Sequence, residues 1–96
     1  MAKADLPLVG VRKLRAQGGY KLWVQFSDGS EGVHDFASMI EEGGEMVEPL
    51  RDEEFFARVH VEYGVPTWPN GFDVDAIALH MKMEADGELL LPASAP

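Results

Sequence analysis

Tyr20-Lys21-Leu22-Trp23-Val24-Gln25-Phe26-Ser27-Asp28-Gly29-Ser30-Glu31-Gly32-Val33-His34-Asp35-Phe36 decides the fold. Its first half alternates, with Tyr20, Leu22, Val24 and Phe26 on one face and Lys21, Trp23 and Gln25 on the other, the period of a half-buried strand. Asp28-Gly29 then supplies a dipeptide that tolerates positive φ in a tight hairpin turn, and residues 31–36 return as the second strand. A β-hairpin over residues 20–36 is therefore expected. Upstream, Val9 and Val11 alternate within residues 8–14, giving a first strand interrupted by Gly10 and ended by the turn signal Gln17-Gly18-Gly19.

Downstream the period changes. Asp35 is placed to cap a short helix whose Phe36, Met39 and Ile40 face the core, with Gly43-Gly44 as its stop. Asp52 caps a second, with Glu53 and Glu54 in the first turn and Phe55, Phe56 and Val59 as the buried face. Val59, Val61, Tyr63 and Val65 alternate with polar residues and glycine, which reads as one strand running to Trp68. In Thr67-Trp68-Pro69-Asn70-Gly71-Phe72-Asp73-Val74-Asp75, Pro69 fixes φ for a β-turn that Asn70 and Gly71 complete. Asp75 then caps a helix to about Met83, with Val74, Ile77, Ala78 and Met81 on the expected buried face. The expected architecture is a small α+β domain over residues 1–84: an antiparallel sheet of three to four strands packed against two to three short helices. Residues 85–96 form a C-terminal tail whose Leu89-Leu90-Leu91 run docks on the domain or on a neighbouring chain.

The chain has 96 residues, 46% hydrophobic and 26% charged, the composition of an ordinary globular domain. It contains no cysteine, which excludes disulfides, thiolate nucleophiles and zinc-thiolate sites. The start Met1-Ala2-Lys3-Ala4-Asp5 lacks the apolar run of a signal peptide, and a cytoplasmic protein without a membrane anchor is expected. Net charge is −9, unevenly spread. Residues 1–21 hold Lys3, Arg12, Lys13, Arg15 and Lys21 against Asp5, a balance of +4, whereas the remainder sets three basic residues against sixteen acidic ones, a balance of −13. Such a surface repels phosphate backbones, so no direct nucleic-acid binding is expected, and a basic protein is the partner it suits.

Motifs for chemistry are sparse. His34, His60 and His80 are the only imidazoles, and none lies in a His-x-x-x-His pair, so no metal and no cofactor is assigned. His34 and His60, if on paired strands, are expected to point to the polar side opposite the core. The serines lie in no Gly-x-Ser-x-Gly motif, and no phosphate-binding glycine loop is present, so no catalytic residue is assigned. Trp23, on the polar face of the best strand, is the leading candidate for binding because aromatics concentrate in interface hot spots. Trp68, Asn70 and Asp73 are the others.

Four segments carry a resemblance: Leu22-Trp23-Val24-Gln25-Phe26-Ser27-Asp28-Gly29, Val33-His34-Asp35-Phe36, Leu50-Arg51-Asp52-Glu53-Glu54-Phe55-Phe56-Ala57-Arg58-Val59, and Trp68-Pro69-Asn70-Gly71 followed by Asp73. Over residues 9–80 the chain resembles the DUF2442 family of small bacterial proteins of unknown function. The resemblance implies a small α+β fold in which the 20–36 hairpin pairs with the later strand. It also implies an accessory or regulatory role, antitoxin-like in character, and it transfers no catalytic residues. The leading expectation is a non-enzymatic interaction module that holds a protein partner, with a homodimer also open. The alternative is a small-ligand domain with a pocket bounded by Trp68, Tyr63 and Phe72, and a metal-dependent enzyme built on His34, His60 and Asp73 comes third.

Overall fold

A computed structural model describes residues 9–91. Leu8, expected in the first strand, and residues 92–96 of the expected tail lie outside the described residues. The 20–36 hairpin forms as β2, Lys21–Phe26, and β3, Glu31–Asp35. Leu22, Val24 and Phe26 are completely buried, each worth roughly 1.5–3 kcal/mol of transfer energy. A third strand, β1, Val11–Ala16, pairs antiparallel with the other side of β2, so the sheet order is β1-β2-β3. The register slips between Val11 and Lys13, a bulge that lets Val11 and Leu14 both face inward, opposite Phe26 and Val24.

The hairpin turn differs from a two-residue Asp-Gly loop in one residue, with large consequences. The Phe26 amide donates to the Ser30 carbonyl at 2.8 Å, the Gly29 amide donates to the Phe26 carbonyl at 2.9 Å, and Gly29 takes φ 91°. This is a three-residue loop closed by a left-handed glycine. The pairs become Leu22↔His34, Trp23↔Val33, Val24↔Gly32 and Gln25↔Glu31, so His34 and Gly32 turn inward while Glu31, Val33 and Asp35 turn outward.

α1, Ala37–Glu42, starts where the Asp35 carboxylate accepts the Ala37 amide at 2.9 Å, and it buries Phe36 and Ile40. A 3₁₀ turn, Glu48–Arg51, seats the fully buried Leu50. α2, Glu53–Phe56, is a single turn whose Asp52 side chain accepts the Glu54 amide, and Phe56 drops into the core. There the Phe56 ring meets Tyr20, Phe36 and Trp68, at centroid separations of 5.4, 6.0 and 5.5 Å.

Three expectations are corrected. The single strand over residues 59–65 is a second hairpin, β4 His60–Glu62 and β5 Val65–Thr67, turned by Tyr63 at φ 50° and Gly64 at φ 78°. Its alternation misleads because crossing a two-residue turn flips the parity: Val61 pairs with Pro66, and Val65 with Glu62. The 20–36 hairpin takes its third strand from upstream rather than from this segment, which touches β1 through the Val11 amide on the Gly64 carbonyl at 2.8 Å. Finally α3, Ala76–Ala85, capped by Asp75 as expected, buries Ala76, Leu79 and Met83 instead of Ile77, Ala78 and Met81, and Met81 is 63% exposed. α3 is apolar around most of its circumference, so its contacts select the buried stripe.

After α3 the chain turns at Gly87 and runs back beside β3. Glu31 and Leu90 exchange both backbone bonds, at 3.1 and 2.8 Å, and Leu89 packs on the core. The Leu89–Leu91 run thus docks, through Leu89 and Leu90, on its own domain. Gly32 faces this segment, and a Cβ there would run into the Glu88 carbonyl. No helix among the described residues is long and apolar enough to cross a membrane.

Candidate functional site

The return of the chain beside β3 opens a cleft of about 440 Å³ between the end of β3 with α1 on one wall and the last turn of α3 with Glu88 on the other. Its charged lining is Asp35, Glu42, Asp86 and Glu88 against Lys82, the His34 imidazole stands beside them, and Phe36 and Met39 supply apolar surface. Each side chain has a local reason for its place. The three-residue loop turns His34 inward, where its ring stands edge-on to Phe36 at 4.7 Å and its Nδ1 lies 2.8 Å from Glu88 Oε1. The Gly87 turn brings Glu88 there, its amide bonded to the Met83 carbonyl at 2.8 Å. Lys82 Nζ reaches Asp86 Oδ2 at 3.4 Å along α3. Glu42 makes no ion pair among the described residues, so the cleft carries an excess of carboxylate over cation. Chemically it suits a cationic group on an aliphatic stem, the head on the carboxylates and the stem on Phe36 and Met39.

A second cluster joins the hairpin loop to α3. Asp28 Oδ1 accepts the Ser30 hydroxyl at 2.6 Å and the Ser30 amide at 3.0 Å, and Asp28 Oδ2 lies 3.0 Å from His80 Nε2. Partial burial pushes the Asp28 carboxyl up, but the hydrogen bonds from Ser30 and the contact with His80 together outweigh it and hold the group below its usual range. Serine, histidine and aspartate here do not make a nucleophile. Ser30 Oγ and Asp28 both meet the same imidazole nitrogen, at 3.4 and 3.0 Å, whereas a relay needs them on opposite nitrogens, and Ser30 is completely buried. The cluster is a clasp.

The residues singled out in the sequence are dispersed. Trp23 is half-buried on the outer face of the sheet, beneath the Arg15 guanidinium at 5.4 Å, a cation–π contact worth about 0.5–1 kcal/mol at an exposed site. Trp68 is sealed in the core, its Nε1 donating to the Phe56 carbonyl at 2.9 Å. Asn70 ties the turn together: its amide donates to the Met46 carbonyl at 2.9 Å and its oxygen accepts the Phe72 amide at 3.3 Å. Asp73 is exposed and bridges Thr67 through the backbone. Trp68 and Phe72 pack ring to ring at 5.7 Å, while Tyr63 is fully exposed at its hairpin tip, apart from both.

His34 and His60 are not on paired strands, and His34 points inward rather than to the polar side, because of the extra loop residue. His60 Nε2 instead lies 3.6 Å from Glu62 on β4. Among the described residues no three His, Asp or Glu side chains converge to hold a metal ion, so His34, His60 and Asp73 do not form a centre. Sequence reasoning missed Glu42, Lys82, Asp86 and Glu88, which come together only through the fold-back after α3. The available signal was Asp86-Gly87-Glu88, a turn placed to reverse the chain.

No significant match was found among curated proteins or among solved structures. A family described as a protein of unknown function matches residues 11–84, from the first residue of β1 almost to the end of α3. That span includes the hairpin, both Asp-capped helices and the Trp68 turn, and the chain therefore belongs to the DUF2442 family.

Proposed function

We propose that the protein is a non-enzymatic interaction module whose cleft grips an arginine- or lysine-bearing segment of a protein partner. The carrying observation is the composition of that cleft, four carboxylates on two walls with Phe36 and Met39 as apolar surface on the α1 wall. A guanidinium or ammonium entering it exchanges hydration for charge-assisted bonds to Glu42, Asp86 and Glu88 while its stem covers apolar surface. The wider surface assists: a net charge of −9 attracts a basic partner over a Debye length of roughly 8–10 Å and speeds encounter. A regulatory accessory that shields a basic, nucleic-acid-binding protein has this electrostatic form.

The test is an NMR titration of the chain with an arginine-rich peptide. Amide shifts are expected to concentrate at His34, Ser38, Glu42, Lys82 and Asp86, and Glu42→Lys is expected to weaken binding by about tenfold. Shifts spread evenly over the acidic surface, or binding unchanged by Glu42→Lys, would sink this reading.

A further inference from the structure

We propose that the outer face of the β1-β2-β3 sheet is a dimer interface that pairs with the same face of a second copy of this chain. It is a different surface from the cleft, and its test leaves the cleft residues intact. Antiparallel pairing puts Arg15, Trp23 and Val33 in one row across the three strands and Lys13, Gln25 and Glu31 in the next, all on the side opposite Leu22, Val24 and Phe26. Leu90, paired with Glu31, extends the second row. The buried side chains of the helices join the core on the inner face. The outer face keeps an apolar strip: half-buried Trp23, Val33 at 42% exposure and Leu90 at 69%.

The charges on this face identify the occupant. Lys13 and Arg15 lie on β1 and Glu31 lies on β3, while the Asp35 carboxylate holds the start of α1 and lines the cleft, so these two rows run from positive to negative across the sheet. A uniformly acidic partner meets Glu31, and a uniformly basic one meets Lys13 and Arg15. A single-stranded nucleic acid stacking on Trp23 lies within one strand of the Glu31 carboxylate. An occupant with the reversed order of charge satisfies both halves, and a second copy presents that order. Under a two-fold axis parallel to the strands, β1 of each copy stacks over β3 of the other and the rows stay in line. Lys13 then faces Glu31 of the second copy, Arg15 faces its Val33, and the two Trp23 side chains meet near the axis, with the two exposed Lys21 side chains meeting at the end of the contact, an isologous arrangement at the usual sheet spacing of about 10 Å.

Net charge of −9 per copy opposes association at long range, so the attraction has to be this local pairing. Three strands at about 4.8 Å spacing and five residues at about 3.3 Å make an interface of the small, transient kind, to be sought at chain concentrations from micromolar to millimolar.

Sedimentation velocity of the full chain across that concentration range tests the proposal. The wild type is expected to dimerise, Lys13→Glu and Glu31→Lys each to weaken the dimer about tenfold or more, and the double reversal to recover most of the loss. Trp23→Ala is expected to weaken it without changing the far-UV circular dichroism. If a reversal unfolds the chain, Lys13→Gln and Glu31→Gln give the same reading without a reversed charge. A monomer at every concentration, or a dimer indifferent to the reversals, overturns the proposal. So does a labelled single-stranded oligonucleotide that binds the wild type, is lost with Lys13→Glu and is not regained in the double variant, which would make nucleic acid the occupant.

Discussion

Tyr63 holds φ 50° with its side chain fully exposed, so it occupies a left-handed position with no packing to offset the strain. An L-residue there costs roughly 1–2 kcal/mol, and asparagine, which tolerates the region, costs less. Tyr63→Asn also creates the Asn-Gly pair that two-residue hairpin loops favour. The variant is expected to raise unfolding stability by roughly 0.5–1 kcal/mol, read from the urea midpoint at unchanged slope. A fall instead would mean that the tyrosine makes contacts in the folded chain that its exposure conceals. The residues that were legible in the sequence act locally. Asp35, Asp52 and Asp75 each accept an amide two residues on, so a short stretch around each suffices to recognise them. Tyr63 was not legible because tyrosine is no turn former and sat in phase with Val59 and Val61. Trp68 and Asn70, singled out for binding, are committed to the Phe56 and Met46 carbonyls, partners 12 and 24 residues away that no local pattern announces.

Among the elements, β3 depends most on register. The hairpin and its inward Leu22, Val24 and Phe26 were readable from period alone, but the length of the loop was not, and one loop residue decides which of His34 and Val33 faces inward. The cleft and the clasp both follow from that register, which is why neither was legible. The same register brings Gly32 against the returning chain, where a methyl group would strike the Glu88 carbonyl. Backbone on the far side of this contact gives way only by moving the segment after Gly87. Gly32→Ala is therefore expected to cost about 1–3 kcal/mol and to detach residues 88–90 before the rest of the domain unfolds. Native-state hydrogen exchange checks it: the Leu90 amide should lose protection while Leu22 and Val24 retain theirs. Full protection of Leu90 in the variant would show that the Leu90 pairing survives the added methyl.

On the scale of the whole molecule, α3 and the turn after it meet the sheet through two long-range histidine–carboxylate contacts, His80 to Asp28 at 3.0 Å and His34 to Glu88 at 2.8 Å, spanning 52 and 54 residues. Met83 and Leu79 bury the apolar part of the same seam, so the polar contacts set where α3 lies along the sheet more than whether it docks. The Asp28 carboxyl gives this arrangement a dependence on pH. Although burial raises it, the bonds from Ser30 and the contact with His80 leave its folded pKa below the ordinary value of 3.8. A carboxyl lowered by folding binds its proton more readily in the unfolded chain, so it contributes stability that is fully present above pH 3.8 and is lost as pH falls through the folded value. The chain carries sixteen other Asp and Glu side chains, so a variant rather than the wild-type curve alone isolates this one. Asp28→Asn keeps a side-chain oxygen for the Ser30 amide and removes the charge. The unfolding free energy of wild type minus variant is expected to be positive and flat at neutral pH, then to shrink as pH drops below 3.8 and Asp28 takes up its proton. A difference that stays constant to the acid limit would show that the clasp works through hydrogen-bond geometry alone, with the charge on Asp28 contributing nothing to holding α3 against the hairpin.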